Sequence, residues 1–232
     1  MPEFHVNKVW GMWTEKGKQV ALTMRAERSR RNFSDEANRY DAKRERLVRC
    51  ARRLAEQGDA AKVSVTDITS EMGITRGLFY YYFEGKEALN EAIIQTYIDD
   101  LAKALEASCG ACENREDAML SLVKCVQRWL YLDEGGHKPI WHVACELRLD
   151  KELVDQAADV LAAFIIDHSL LTKYGKFSDD LLYEHARFVA TGLLGEIRLR
   201  EGLPAEVLSD TACAALRYRK RRAPELEQLA AE

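Results

Sequence analysis

The chain has 232 residues, 47% apolar and 31% charged, with a net charge of −4. That length allows a sizeable buried core in one or two domains, and only four Pro and 13 Gly leave room for long helices. No apolar run approaches the roughly 18 residues of a bilayer-spanning helix, and the N-terminus lacks the apolar core of a signal segment, so the expected location is cytoplasmic with no membrane partner.

The charge is unevenly spread. Residues 1–55 hold 14 Lys/Arg against 7 Asp/Glu, whereas residues 97–232 hold 17 against 24. A basic N-terminal end on an acidic remainder is compatible with nucleic-acid binding at that end, because the local patch matters and not the overall balance. Six cysteines (Cys50, Cys109, Cys112, Cys125, Cys145 and Cys213) sit mostly within apolar helical patterns, where a reduced thiol behaves as a small hydrophobe.

Residues 1–33 read as an extension and basic arm, with Met24 as an alternative start. The arm, RAERSRRNF, either reaches phosphate or the minor groove or is a solvated tail. Ser34-Asp35-Glu36 opens a helix that runs to about Glu56 and stops at Gly58, with Tyr40, Leu47, Ala51 and Leu54 on one face. Ser64 then opens a short piece with Asp67 three residues on, a capping box with Asp in place of Glu. Val65, Ile68 and Met72 form its apolar stripe, and Gly73 ends it. Thr75 restarts the helix as an N-cap, Phe79 and Phe83 share its buried face, and Gly85 breaks it before Lys86-Glu87. Two helices around a short Gly-bearing turn make a helix-turn-helix. On the second, Gly77, Leu78 and Tyr81 point away from the phenylalanines, with Tyr80 on the flank and Arg76 at the N-terminal end. Such a face suits the methyl groups and sugar edges of a major groove better than water.

This stretch resembles the DNA-binding region of the TetR (tetracycline-repressor-like) family of bacterial transcription regulators. The resemblance is carried by Ser64-Val65, Asp67-Ile68, Gly73-Ile74-Thr75, Gly77, Phe79-Tyr80, Phe83, Lys86-Glu87 and Leu89. It implies base contacts from Thr66, Arg76, Gly77, Leu78 and Tyr81, with Gly77 admitting close backbone approach. It implies phosphate contacts from Ser64, Thr75, Tyr80, Tyr82 and Lys86, the last at a helix start that itself attracts anions. The pattern departs from the family after Gly58, where Asp59 stands in place of the usual aromatic and the segment to Ile68 is about one residue longer. Val63 is expected to fill the aromatic's place.

Further helices are expected over 86–108, 115–133, 138–149 (Pro139 in its first turn), 151–172, 178–201 and 205–217, then a basic tail over 218–232. The expected architecture is all-α: a three-helix DNA-binding domain over 34–86 and a helical effector-binding and dimerisation domain over 87–217. Gly192, Gly195 and Ala190 lie inside a strong helix, where each Gly costs about 1 kcal/mol relative to Ala unless another helix approaches closely. With Leu181, His185, Phe188 and Leu199, the two glycines form the expected homodimer face, as the resemblance also implies.

Met119, Trp129, Trp141, His142, Phe164 and Phe188 are the candidate lining for a small-molecule effector, with plain core packing as the alternative for each. Cys109 and Cys112 have CxxC spacing, but two further ligands would be needed for zinc, and neither metal nor cofactor is expected. No phosphate loop, nucleophile motif or HExxH is present, so no enzyme is expected. The expected function is a ligand-responsive repressor on a pseudo-palindromic double-stranded operator. The alternatives are a protein-binding adaptor on the same scaffold and a thiol-based sensor.

Overall fold

The computed structural model describes residues 35–109, 112, 114–131, 137–168, 179–200 and 202–216. The basic arm, the Gly135-Gly136 break, the Tyr174-Gly175 stop and the basic tail fall outside them. Within them the chain is all helical: α1 Asp35–Gln57, α2 Val65–Met72, α3 Arg76–Tyr82, α4 Lys86–Cys109, α5 Arg115–Tyr131, α6 Ile140–Leu147, α7 Asp150–Asp167, α8 Asp179–Leu199 and α9 Ala205–Leu216.

The first three helices form by local rules. Ser64 accepts from the Asp67 N–H while the Asp67 carboxylate accepts from the Ser64 N–H, closing the capping box on α2. Gly73, at φ 63°, turns its own N–H back to the last carbonyls of α2, and the Ile74 N–H reaches Thr69 at 2.9 Å. Thr75 caps α3 by accepting from the Leu78 N–H at 3.3 Å. Leu47, Ala51, Ile68, Phe79, Phe83 and Leu89 then meet in one buried cluster. Each fully buried large side chain contributes about 1.5–3 kcal/mol relative to exposure.

Two expectations in this part change. Ala60, not Val63, is the fully buried residue of the turn after α1; Val63 is only partly buried. Tyr40 does not join the α1 core face: it is half-buried and packs on tyrosines of α3.

The long helix α4 links this head to the body. Its expected stripe of Leu89, Ile93, Tyr97, Leu101 and Leu105 is buried, and so are Ile94 and Ile98, because α4 packs against α1 on one side and α5 and α7 on others. In the body, α7 and α8 pack along their lengths, with Ala157, Ala158, Ala186 and Ala190 buried. Arg187 crosses between them to Asp155 and Asp159. The predicted 138–149 helix is shorter than expected. Pro139 precedes it as the capping residue, and Arg148 ends it in the left-handed region at φ 59°.

Gly73→Ala should lower stability by about 1–2 kcal/mol, because the added Cβ meets no neighbour and only the left-handed backbone penalises it. Urea unfolding of the two proteins checks this.

Candidate nucleic-acid interface

Helix α3 has seven residues, too few to stand alone in water. It is held from behind by buried Phe79 and Phe83, and the Arg44 guanidinium of α1 lies 4.8 Å from the Phe83 ring centre. The opposite side carries Arg76, Gly77, Tyr80 and Tyr81 to the surface, the two tyrosines 57% and 67% exposed; Leu78 is half-buried. A Cβ on Gly77 would meet nothing closer than the Thr75 hydroxyl at 4.0 Å, so nothing within the folded chain demands glycine there.

The structure brings several expected contacts together. The Arg76 guanidinium donates to the Thr66 hydroxyl, joining the expected base-reading residues of α2 and α3. The Lys86 ammonium donates to the Ala61 carbonyl at 2.8 Å, so it braces the turn after α1 from the start of α4. The Ser64 hydroxyl is engaged in its cap, donating to Asp67 at 2.7 Å, and Thr75 is engaged with Leu78.

Tyr82 is half-buried between Tyr81 (ring centres 5.1 Å apart) and Tyr40 of α1 (4.8 Å), and Tyr40 also meets Tyr81 edge-on at 5.6 Å. These three rings brace the exposed face of α3 from the side. Sequence reading placed Tyr40 on the core face of α1 and so missed this role.

A second group missed from sequence fastens this head to the body. Glu56, near the end of α1, accepts from Arg52 at 2.8 Å and from the Tyr97 hydroxyl at 3.0 Å. Arg52 also reaches Asp100 at 2.6 Å and lies 4.3 Å from the Tyr97 ring centre. Burial pushes the Tyr97 phenol far up. From α6, Glu146 accepts the buried Ala60 N–H at 2.8 Å and pairs with Lys138, whose own N–H reaches the Glu56 carbonyl at 2.9 Å. Burial would raise the Glu146 carboxyl, but its bonds from Lys138 and Ala60 and the Lys138 charge outweigh that and lower it.

The six expected effector-lining residues differ in burial. Met119, Trp129 and Phe164 are buried in the core, the Trp129 indole donating to the Tyr97 carbonyl at 3.0 Å and Phe164 stacking on His168. Trp141 is half-buried under the Arg198 guanidinium, His142 is exposed, and Phe188 is 77% exposed on the outer face of α8. That outer face also presents Leu181 (51%), Leu199 (81%), Gly192 and, partly covered, His185 and Gly195. Ala190 is buried instead, so it does not share a strip with the glycines, and a Cβ on Gly192 or Gly195 would meet nothing within 4 Å. The thiol of Cys112 rests near Ser121 and the Ser108 carbonyl, while the Cys109 side chain lies outside the described set. Among the described residues, no group of three or more His, Cys, Asp or Glu is placed to hold a metal, and no helix is long and apolar enough to cross a membrane.

The family model described as bacterial regulatory proteins, tetR family, matches residues 47–93, which span α2 and α3 and parts of α1 and α4. An uncharacterized HTH-type transcriptional regulator of Bacillus subtilis (strain 168), YerO, is 38% identical over 56 residues, 24% of this chain and 19% of that protein. Among solved structures, a transcriptional regulator from Cytophaga hutchinsonii is similar at TM-score 0.47 and 15% identity, over 74% of this chain and 93% of its own. A TetR-family regulator from Pectobacterium atrosepticum is similar at TM-score 0.43 and 17% identity, over 77% and 92%.

Glu146→Ala should cost about 1–3 kcal/mol, because it strands the buried Ala60 N–H. The sign of the pH effect follows from the lowered carboxyl. Glu146 stabilises the fold fully above its ordinary value of 4.5, and that share is lost as pH falls through its lower folded value. Denaturant unfolding between neutral pH and pH 3 should show a smaller acid loss in Glu146→Ala than in the wild type.

Proposed function

We propose that this member of the tetR family of bacterial regulatory proteins binds double-stranded DNA through α3, aided by Thr66 of α2, and represses transcription until a small-molecule effector releases it. The observation that carries the reading is the outward face of α3: Arg76, Gly77, Leu78, Tyr80 and Tyr81 stand on a helix anchored by two buried phenylalanines. A large aromatic surface backed by a rigid core is matched by a groove and poorly matched by water. In the groove, Arg76 leaves Thr66 to pair bidentately with a guanine, a contact worth about 1–3 kcal/mol of discrimination. Leu78 and Tyr81 meet thymine methyls, and Gly77 lets the backbone approach. Tyr80, Tyr82 and Lys86 hold phosphates, with Ser64 and Thr75 at the two helix starts.

The operator-binding unit in this reading is a homodimer. Leu181, His185, Phe188, Gly192, Gly195 and Leu199 recur at alternating spacings of four and three on α8, the 3.5-residue repeat of a helix seam. With space open around both glycines, a second copy can bring its backbone close. Two heads on a two-fold axis then meet half-sites roughly 34 Å apart, or a multiple of that, in a pseudo-palindrome.

We propose no catalytic role. Burial pushes the thiols of Cys50, Cys125 and Cys145 up, which disfavours the reactive thiolate and so a sensor built on those three.

Arg76→Ala should relax base preference at one operator position. Lys86→Ala should weaken all sequences alike and lower the salt slope by about one. Fluorescence anisotropy on operator and random duplexes over a salt series checks both, and equal losses on both duplexes for both variants would overturn the roles. Phe188→Glu should shift the protein to monomer in analytical ultracentrifugation with its helix content kept. A persisting dimer would sink the α8 seam.

A further inference from the structure

Two half-buried arginines, Arg52 and Arg187, each reach two carboxylates. A third, Arg198 near the end of α8, reaches none among the described residues. Its guanidinium carbon lies 4.2 Å from the ring centre of Trp141, in the first turn of α6, and its Nε is buried without a hydrogen-bond partner. The ring covers one face of the guanidinium, and its Nε–H meets no hydrogen-bond partner among the described residues. An orphaned buried donor of a charged group is expensive unless something answers it.

We infer that Trp141 and Arg198 form a binding site for a small organic carboxylate. A planar guanidinium held in one orientation offers Nε–H and Nη–H side by side, the spacing a carboxylate accepts bidentately. Asp150 and Glu146, the latter paired with Lys138, lie near enough to act on the neighbouring Cys145 alongside Arg198, so the site is bordered by carboxylates. The partly exposed indole supplies apolar surface for the rest of the ligand.

The inference deepens the effector reading, and its regulatory consequence rests on that reading. Trp141 and Glu146 share the eight-residue helix α6, and Glu146 holds the Ala60 N–H of the DNA-binding head. A ligand that draws on the Arg198 fork acts on the same helix that fastens the head.

The test uses full-length protein and sodium benzoate as probe, with binding measured by calorimetry and by intrinsic tryptophan fluorescence in the absence of DNA. Wild type should bind saturably. Arg198→Gln should weaken binding roughly tenfold or more, the loss expected for a charge-assisted hydrogen bond. Arg198→Lys, which keeps the charge and removes the fork, should fall between the two. Trp141→Phe should lose most of the fluorescence response while calorimetry still detects binding. The inference is overturned if the wild type shows no saturable binding up to about 10 mM, well above a millimolar Kd. It is overturned equally if both Arg198 variants bind like the wild type, or if inorganic phosphate binds as tightly as benzoate. Arg198-dependent benzoate binding that leaves operator affinity unchanged would establish the site and retire the effector reading alone.

Discussion

The orientation of the three-helix head depends on one polar joint set in an otherwise apolar contact. Glu56 of α1, enclosed by Arg52, Tyr97 and His137, sits where α1, α4 and the segment before α6 meet. Apolar packing alone would let α1 slide along α4, since Leu, Ile and Ala contacts are weakly directional. The Arg52 fork reaches Glu56 on its own helix and Thr96 and Asp100 on α4, and it lies over the Tyr97 ring, so these bonds hold together in one register. Buried charge networks add little net stability, because desolvation offsets most of the attraction. Here the geometry points to register as what the network supplies.

That register propagates outwards through short elements. The turn after α1 is closed by Asp59, which accepts from the Ala61 N–H and pairs with Lys62, and by Glu146 reaching in from the body. The same turn accepts Lys86 at the start of α4. Helix α3 is thus positioned by its two phenylalanines, by the Tyr40 bracket from α1, and by an α1 that is itself pinned to α4.

What the sequence made legible was local. Ser64 with Asp67, Gly73, Thr75 and the Phe79–Phe83 pair each act within four residues of their own partners, so spacing alone announces them, and the α4 stripe is readable from its i+4 repeat. The joint was invisible because its bonds close over long separations: 41 residues from Tyr97 to Glu56 and 86 from Ala60 to Glu146. Such pairs leave no periodic trace. The end of α6 was misplaced for a related reason: Arg148 takes a backbone conformation usually left to glycine, and residue type gave no warning. The burial of the effector-lining candidates was not legible, because an aromatic residue in a helix carries no mark of which neighbour it faces. Phe164 and Phe188 look alike in sequence, yet one lies in the core and the other in solvent.

Helix α8 shows why two-sided apolar character needs a physical arbiter. Its inner residues, among them Tyr183, Ala186, Val189, Ala190, Leu193 and Ile197, bury against the body. Its outer residues, among them Leu181, Phe188 and Leu199, repeat with nearly the same period half a turn away. Single exposed apolar residues are ordinary on any surface. A row of them, broken by His185 and by two glycines that carry no side chain, is a different object. It keeps a second helix's approach open at the cost of about 1 kcal/mol per glycine in the isolated helix. In the proposed dimer, contacts from α8 through Arg198 and Trp141 to α6, and from Glu146 to Ala60, would join the seam to the two heads. An operator of fixed half-site spacing would then read the state of those contacts as affinity.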